Sequence, residues 1–233
     1  MAKDEAQRAN AVLKKYERES DTMTYKGWMA KIVAAIAIAF SVFQLYTATF
    51  GVLDAHLQRA VHLGFGLTLI YLLYPTRKSW SRRTHVHPLD LLLAILGAAA
   101  PAYIVIEYQS LVLRSGLVSG ADLAIGVLGI VLVVEAARRV VGLPMVCVVL
   151  AFLIYAFVGP YMPGVLAHRG LTVGQLVGHL FFTTEGIFGI PLGVSSTFIF
   201  LFILFGAYLE STGLGKFFID LANALAGWAS GGP

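Results

Sequence analysis

The stretch that decides the fold is IPLGVSSTFIFLFILFGAYL, residues 190–209, which contains no charged side chain. A helix rises about 1.5 Å per residue, so about 20 apolar residues cross the roughly 30 Å of hydrocarbon in a bilayer. Lipid offers no partner for an unpaired backbone N–H or C=O, so a span of this kind must be helical. The stretch therefore predicts a transmembrane helix.

Five further apolar stretches precede it. Only 13% of the residues are charged and 58% are hydrophobic, whereas an average soluble domain has about 25% charged residues. A water-soluble core could not bury so much apolar surface, and the long continuous runs differ from the short alternating segments of a transmembrane barrel. We predict an all-α, polytopic transmembrane protein of about six spans, at residues 29–52, 60–74, 89–106, 123–134, 140–158 and 190–209.

The basic residues predict the orientation. If the N-terminus is cytoplasmic and six spans alternate, all 17 Lys and Arg residues except Arg59, Arg114 and Arg169 lie on the cytoplasmic side. Loops on that side of a membrane protein carry an excess of Lys and Arg. The pattern therefore predicts a cytoplasmic N-terminus. It also supports the span count, because one span more or fewer before the end would destroy the asymmetry.

Two segments outside the spans have helical patterns. Residues 1–28 are polar, but apolar side chains recur at helical spacing, which predicts an amphipathic helix that lies on the membrane, against a partner or in water. Thr172 and Gln175 have the spacing of a capping box. The apolar residues after them share one face, which indicates a short helix in the membrane interface or, alternatively, a buried re-entrant piece. The first set is Ala6, Ala9, Val12, Leu13 and Tyr16; the second is Val173, Leu176, Val177, Leu180 and Phe181.

Ionisable residues avoid the centres of the predicted spans, where a charge costs at least a few kcal/mol. Asp90, Glu107 and Asp122 lie at span ends. Glu135 lies one turn from Arg138 and Arg139, which predicts a local ion pair at the cytoplasmic exit of the fourth span. We predict no catalytic, cofactor-binding or metal-binding residue, no cofactor and no enzymatic activity.

Two single residues inside the apolar stretches have structural interpretations. His62 could hydrogen-bond to a neighbouring helix; a role in transport or as a metal ligand remains an alternative, although no second His has the spacing of a metal pair. Cys147 is the one cysteine, which excludes an intrachain disulfide, and we interpret it as a small packing residue. Glycines at 126 and 129 and at 193 and 206 predict close helix packing.

The last third, EGIFGIPLGVSSTFIFLFILFGAYLESTGLGKFFIDLANALAGWASGGP (185–233), resembles the start of the large membrane subunit of tripartite ATP-independent periplasmic (TRAP) transporters. Three earlier stretches resemble the small subunit: KKYERES (14–20), HLGFGLTLIYLLYP (62–75) and LVVEAARRVVG (132–142). In this order they resemble a fused permease of the type paired with TAXI-class solute-binding proteins.

The resemblance implies a sodium-driven symporter for organic anions in the bacterial inner membrane. Its partners would be a periplasmic TAXI-type binding protein, membrane lipid and the rest of the large permease region, without nucleic acid. It implies a cytoplasmic segment at 1–28, a four-span small-subunit-like (DctQ-like) region at 29–137, a linking fifth span at 138–169 and the start of a large-subunit-like (DctM-like) region at 170–233.

The family's sodium and substrate ligands lie in helical hairpins that this sequence does not contain. We therefore expect an N-terminal portion of a longer permease and assign no sodium or substrate ligands to it. The rival hypotheses are a stand-alone membrane scaffold without transport activity and a polytopic membrane enzyme. The enzyme would need clustered His, Asp or Glu at a membrane edge, where this sequence offers scattered ones.

Overall fold

A computed structural model of the protein describes residues 22–76, 86–114 and 116–226. These residues form helices joined by short turns, and no strand occurs among them. The prediction of an all-α, polytopic protein is therefore confirmed. The predicted helix within residues 1–28 and most of the basic loop at 77–85 lie outside the described residues.

Nine helical segments follow one another along the described chain. The eighth, α8, is continuous, but its residues Ser195–Ile199 form a π turn between two α-helical parts. Short 3₁₀ turns at Gly159–Tyr161 and Gly164–Leu166 follow α6. The segments are α1 (Trp28–Phe50), α2 (Ala55–Leu73), α3 (Pro88–Ile106), α4 (Tyr108–Leu113), α5 (Gly120–Val140), α6 (Leu143–Val158), α7 (Val173–Phe182), α8 (Ile190–Thr212) and α9 (Leu214–Ala226).

Five of the described helices are long and apolar enough to cross a membrane: α1, α3, α5, α8, and α6 with its following turn to Tyr161. The second predicted span is α2, which is not among these five and begins at Ala55 rather than at residue 60. It has 19 residues, as α3 does, and it runs antiparallel to α1 and α3. Its length suits a span. That α2 crosses the membrane, as one of six spans, stays a prediction, and its polar residues would have to be shielded from lipid by other helices.

Helix α5 is longer than the fourth span predicted at residues 123–134, and it ends in the predicted charges. It continues to Val140, so Glu135, Arg138 and Arg139 occupy its last two turns. Ion pairs of Glu135 with both arginines, and of Arg139 with Asp90, compensate these charges within the protein. The chain then turns at Gly142, whose φ of 118° favours glycine, and α6 begins at Leu143.

Helices α2 and α3 form the centre of the bundle, with α5 against both. Gly97 of α3 faces Leu67 and Tyr71 of α2, and a Cβ at Gly97 would lie 3.1 Å from the Cβ of Leu67. Small residues let helix backbones approach closely in membranes, where packing rather than the hydrophobic effect holds helices together. The fully buried ring of Tyr71 fills this contact, and its hydroxyl donates to the carbonyl of Leu132 in α5 at 2.5 Å.

An extended segment before α1 covers one end of this centre. Its residues alternate between buried and exposed, with Met23 and Tyr25 buried, because successive side chains of an extended backbone point to opposite sides. The N–H of Met23 donates to the carbonyl of Leu73 at 2.8 Å, and the Tyr25 hydroxyl donates to that of Leu72. Burial, and to a lesser degree the nearby Asp90 carboxylate, raise the pKa of Tyr25 to about 12, so the phenol stays neutral and keeps its donor.

Helix α6 is the least covered of the early spans. Val146 is the one buried residue among its 16, and Cys147 is exposed. The prediction that Cys147 is a packing residue was therefore wrong. An apolar run does not indicate which side of a helix contacts protein, and α6 packs mainly against the end of α5. The thiol of Cys147 therefore faces outwards among apolar neighbours.

The capping box at Thr172 and Gln175 is confirmed: each side chain bonds the other residue's backbone N–H, at 3.3 and 3.0 Å. The apolar face of α7, however, is turned to protein. Val177 and Phe181 are buried against α5, at Gly126 and Gly129. Glycines in α5 therefore create the groove that receives α7, as the predicted close packing requires.

Candidate functional site

Neutral polar side chains meet where α1, α2 and α8 come together. Gln44 and Thr47 lie on one face of α1, and Gln58 and His62 lie one turn apart on α2. All four are buried, with Gln58 only 1% exposed. Polar groups within a membrane protein are costly unless they face one another, which explains why α2 turns these residues away from lipid.

The four side chains form one hydrogen-bond network. The Gln58 amide donates to Oε1 of Gln44 at 3.1 Å and lies 3.2 Å from Oγ1 of Thr47. The Gln44 amide bonds Nδ1 of His62. The Thr47 hydroxyl also donates to the Gln44 carbonyl at 3.2 Å. The network therefore fixes α1 against α2 at the end where the two helices connect.

The same network reaches the π turn of α8. Nε2 of Gln58 lies 3.1 Å from the carbonyl oxygen of Ser196, and Nε2 of His62 lies 3.2 Å from Oγ of Ser195. A π turn interrupts the regular i→i−4 ladder, and such turns often occur at functional positions. A side-chain amide that bonds a backbone carbonyl there joins the start of α8 to the α1–α2 pair. We call the set Gln44, Thr47, Gln58, His62, Ser195 and Ser196 the polar joint.

Arg59 strengthens this connection from the next position of α2. Its Nη1 donates to the carbonyl of Phe188 at 2.6 Å, in the segment that leads into α8. Gly193 lets the guanidinium approach α8, because a Cβ there would lie 2.7 Å from Nη2. The region from α1 to α5 and the region from α8 onwards are thus held together by hydrogen bonds as well as by packing.

Two ionic clusters lie at opposite ends of the bundle. At one end Arg139 bonds Asp90 at 2.8 Å and Glu135 at 2.9 Å, which joins the end of α5 to the start of α3. At the other end Arg114 bonds Asp122 at 2.9 Å, and Tyr103 donates to the same carboxylate oxygen at 2.7 Å. Both clusters pair charges near the helix ends, so these charges do not remain uncompensated within the bundle.

The structure separates what the sequence predicted from what it missed. The hydrogen bonding of His62 to a neighbouring helix and the ion pair of Glu135 with Arg138 and Arg139 are confirmed. The roles of Gln44, Thr47 and Gln58 were missed. Their signal was a polar stripe at helical spacing in two consecutive apolar stretches. Among the described residues, no group of three or more His, Cys, Asp or Glu could hold a metal ion.

Replacing Gln58 with leucine should lower the free energy of unfolding by about 1–2 kcal/mol. The carbonyl of Ser196 and the oxygens of Gln44 and Thr47 would lose a hydrogen-bond donor in a buried place. The expected loss is moderate, because hydrogen bonds between membrane helices contribute on average less than the full cost of an unsatisfied buried group. Unfolding of the purified protein in detergent, followed during titration with SDS, measures the change.

The matched control is Thr49→Val, two residues from Thr47 in the same helix. Thr49 is exposed, and its hydroxyl bonds the carbonyl of Leu45 within its own helix, so its loss should change stability by less than about 0.5 kcal/mol. Equal effects of the two substitutions would mean that the polar joint contributes nothing specific.

Residues 128–233 match the family described as tripartite ATP-independent periplasmic transporter, DctM component. The match begins within α5, before the boundary predicted at residue 170, and includes α6 to α9. It supports a TRAP permease, which is a transporter rather than an enzyme. Comparisons with curated proteins and with solved structures gave no match.

Proposed function

We propose that the chain is a membrane component of a sodium-driven TRAP secondary transporter that takes up organic anions across the bacterial inner membrane. The observation that carries the proposal is the match of residues 128–233 to the DctM component. The five apolar helices support a multi-pass membrane protein. The fused arrangement and the TAXI type rest on the resemblance of the earlier stretches.

Within this proposal, residues 29–137 act as a brace, residues 138–169 link the two units, and residues 170–233, with α7 and α8, open the transport unit. The polar joint and Arg59 connect α8 to the brace at one end. The remainder of α8 is little covered, with Phe202 and Ile203 exposed. No sodium or substrate ligand is assigned to a residue of this chain.

The proposed partner provides a direct test. A purified TAXI-class solute-binding protein of the same organism should bind the chain in nanodiscs from the periplasmic side, and a binding protein of an ATP-driven importer should not. Surface plasmon resonance with both proteins measures this. Equal binding of the two, or binding of neither, would contradict the proposed partnership.

We predict that the N-terminus and the residues after α8 lie in the cytoplasm. Reporter fusions after Arg83 and after Lys216 should give cytoplasmic activity, and a fusion after Arg114 should give periplasmic activity, because basic residues remain on the cytoplasmic side. The same experiment tests whether α2 spans the membrane, since an α2 that stayed on one side would bring Arg83 to the periplasm.

A further inference from the structure

His56 lies in the first turn of α2 and faces the segment that joins α7 to α8. We call this segment, residues 183–189, the α7–α8 connection. The His56 ring meets the fully buried ring of Phe188 edge to face, with the two ring centroids 5.0 Å apart. The His56 ring also forms a hydrogen bond with the backbone of Phe181, in the last turn of α7. His56 therefore contacts both α7 and the connection that follows it.

Phe188 is held to α2 at two points. Its ring contacts His56, and its carbonyl accepts the 2.6 Å hydrogen bond from Arg59. The ring of Phe188 also lies 5.3 Å from that of Phe181, which is buried against Gly129 of α5. A displacement of the His56 ring would therefore disturb the contacts of α2 with α7 and with the α7–α8 connection at the same time.

One ring nitrogen of His56 has no partner. Its Nε2 is buried, and no hydrogen bond reaches it from the described residues, so the bond with Phe181 belongs to Nδ1. A neutral imidazole has one N–H donor and one nitrogen without a proton. The neutral ring therefore fits this place with its proton on Nδ1, which donates to the Phe181 carbonyl. A second proton, on Nε2, would put a charged donor where no acceptor is available, which is costly.

The surroundings of His56 also oppose its protonation. The residue precedes the span predicted at residues 60–74. Burial lowers the pKa of His56, the bond with Phe181 opposes this shift, and the positive charge of Arg59 lowers the pKa further. The neutral ring is therefore the form that the folded protein favours.

The carboxylates at this end of the bundle do not compensate a charge on His56. Asp54 bonds Tyr108, and Glu185 is 75% exposed and lies 3.7 Å from His179. Neither carboxylate is among the groups that shift the pKa of His56. The titratable and charged groups of the elements around it are Asp54, Arg59 and His62 of α2, Glu107 and Tyr108 where α3 meets α4, and His179 and Glu185 of α7 and the connection.

We propose that His56 makes the attachment of the α7–α8 connection to α2 sensitive to acid. The neutral ring packs against Phe188 and donates to Phe181. When Nε2 takes up a proton from water, the charged ring leaves this place and both contacts open. An imidazole changes its charge between about pH 5 and 8. In the predicted topology this end of α2 is periplasmic, so the pH outside the cell sets how firmly the start of α8 is attached, whether or not the chain takes part in transport.

Unfolding of the full chain in SDS mixed with a neutral detergent tests the proposal, at about pH 7.5 and about pH 5.5, on either side of the ordinary histidine pKa. At the lower pH the unfolded chain binds a proton at His56 and the folded chain does not, so acid favours unfolding. One such histidine should raise the unfolding constant by up to about tenfold over this range. His56→Asn keeps a donor near the position of Nδ1 but cannot take up the proton, so most of this rise should disappear. An equal rise in both proteins would overturn the proposal.

Two further substitutions locate the effect. His179→Asn is the matched control, because this histidine is 53% exposed at the same end of the bundle, and its loss should leave the pH dependence of unfolding unchanged. His62 is the other buried imidazole of α2, so His62→Gln measures its separate share. A pH dependence that disappears in His62→Gln but persists in His56→Asn would place the sensitivity in the polar joint and contradict the proposal.

Nuclear magnetic resonance of the full chain with ring-labelled histidines follows the proton itself. The His56 signal is identified by its absence from the spectrum of His56→Asn or of His56→Gln, whichever folds. At about pH 5.5 this signal should keep the position of a neutral ring in the folded protein, whereas exposed histidines have moved to the charged position. A His56 signal that moves together with those of exposed histidines would show that the folded protein accepts the charge, and would overturn the proposal.

Discussion

Replacing Arg139 with leucine should destabilise the protein by about 3–5 kcal/mol, the largest effect that we expect of any single substitution. The side chain is 1% exposed. It bonds the carboxylates of Asp90 and Glu135, the carbonyl of Tyr74 at 2.8 Å and the hydroxyl of Thr76 at 2.7 Å. Its removal leaves the buried carboxylate of Asp90 without its cation, and an uncompensated buried charge accounts for the large cost.

Arg138, in the preceding position of the same helix, is the matched control. Its side chain is 32% exposed and pairs with Glu135, which would keep Arg139 after Arg138→Leu, so a loss of about 1 kcal/mol or less is expected. The double variant Arg139→Leu with Asp90→Leu removes both buried charges and should recover much of the loss. SDS unfolding of the four proteins measures these differences. Equal losses at Arg138 and Arg139 would contradict the structural role of the buried pair.

Replacing Gly129 with leucine should separate α7 from α5. A Cβ at Gly129 would lie 2.1 Å from the ring of Phe181, which is fully buried and cannot move aside. Overpacking of this kind costs about 1–3 kcal/mol. If the chain is divided near Gly164, α5 and α7 lie on different fragments, so the cost appears as a loss of association between residues 1–164 and 165–233.

Co-expression of the two fragments, with a tag on the first, measures this loss in mild detergent. The unmodified fragments should copurify, and Gly129→Leu should weaken their association by at least about fivefold, the lower end of that energy range. Gly206→Leu is the control, because a Cβ at Gly206 meets nothing within 4 Å. Unmodified fragments that insert stably but do not copurify would contradict the two-unit organisation itself.

The sequence predicted the helices that have long, continuous apolar runs. The boundaries of α1, α3 and α8 lie close to the predicted ones, because a span must be apolar along most of its length whether it contacts lipid or protein. The capping box of α7 was predicted since its bonds join residues three positions apart. A second capping box, between Ser119 and Asp122 at the start of α5, has an equally local signal and was not identified.

What the sequence could not predict depends on contacts between distant residues. The beginning of α2 at Ala55 rather than at residue 60 was not predicted, because Gln58 lies within the helix only where Gln44 and the π turn cover it. The pair of Arg139 with Asp90 joins residues 49 positions apart, whereas its bond to Glu135 was visible as helical spacing. The exposure of Cys147 likewise depends on which face of α6 lacks a neighbouring helix. Because α6 is apolar on all sides, its sequence does not indicate which face that is.

The most direct test of the proposed function is sodium-dependent uptake by cells. We predict that deletion of the gene that encodes this chain abolishes the uptake of at least one labelled organic anion in sodium buffer, that uptake is absent in potassium buffer, and that restoring the gene restores it. Unchanged uptake of every carboxylate in a broad panel after the deletion, or uptake that does not depend on sodium, would contradict the proposal.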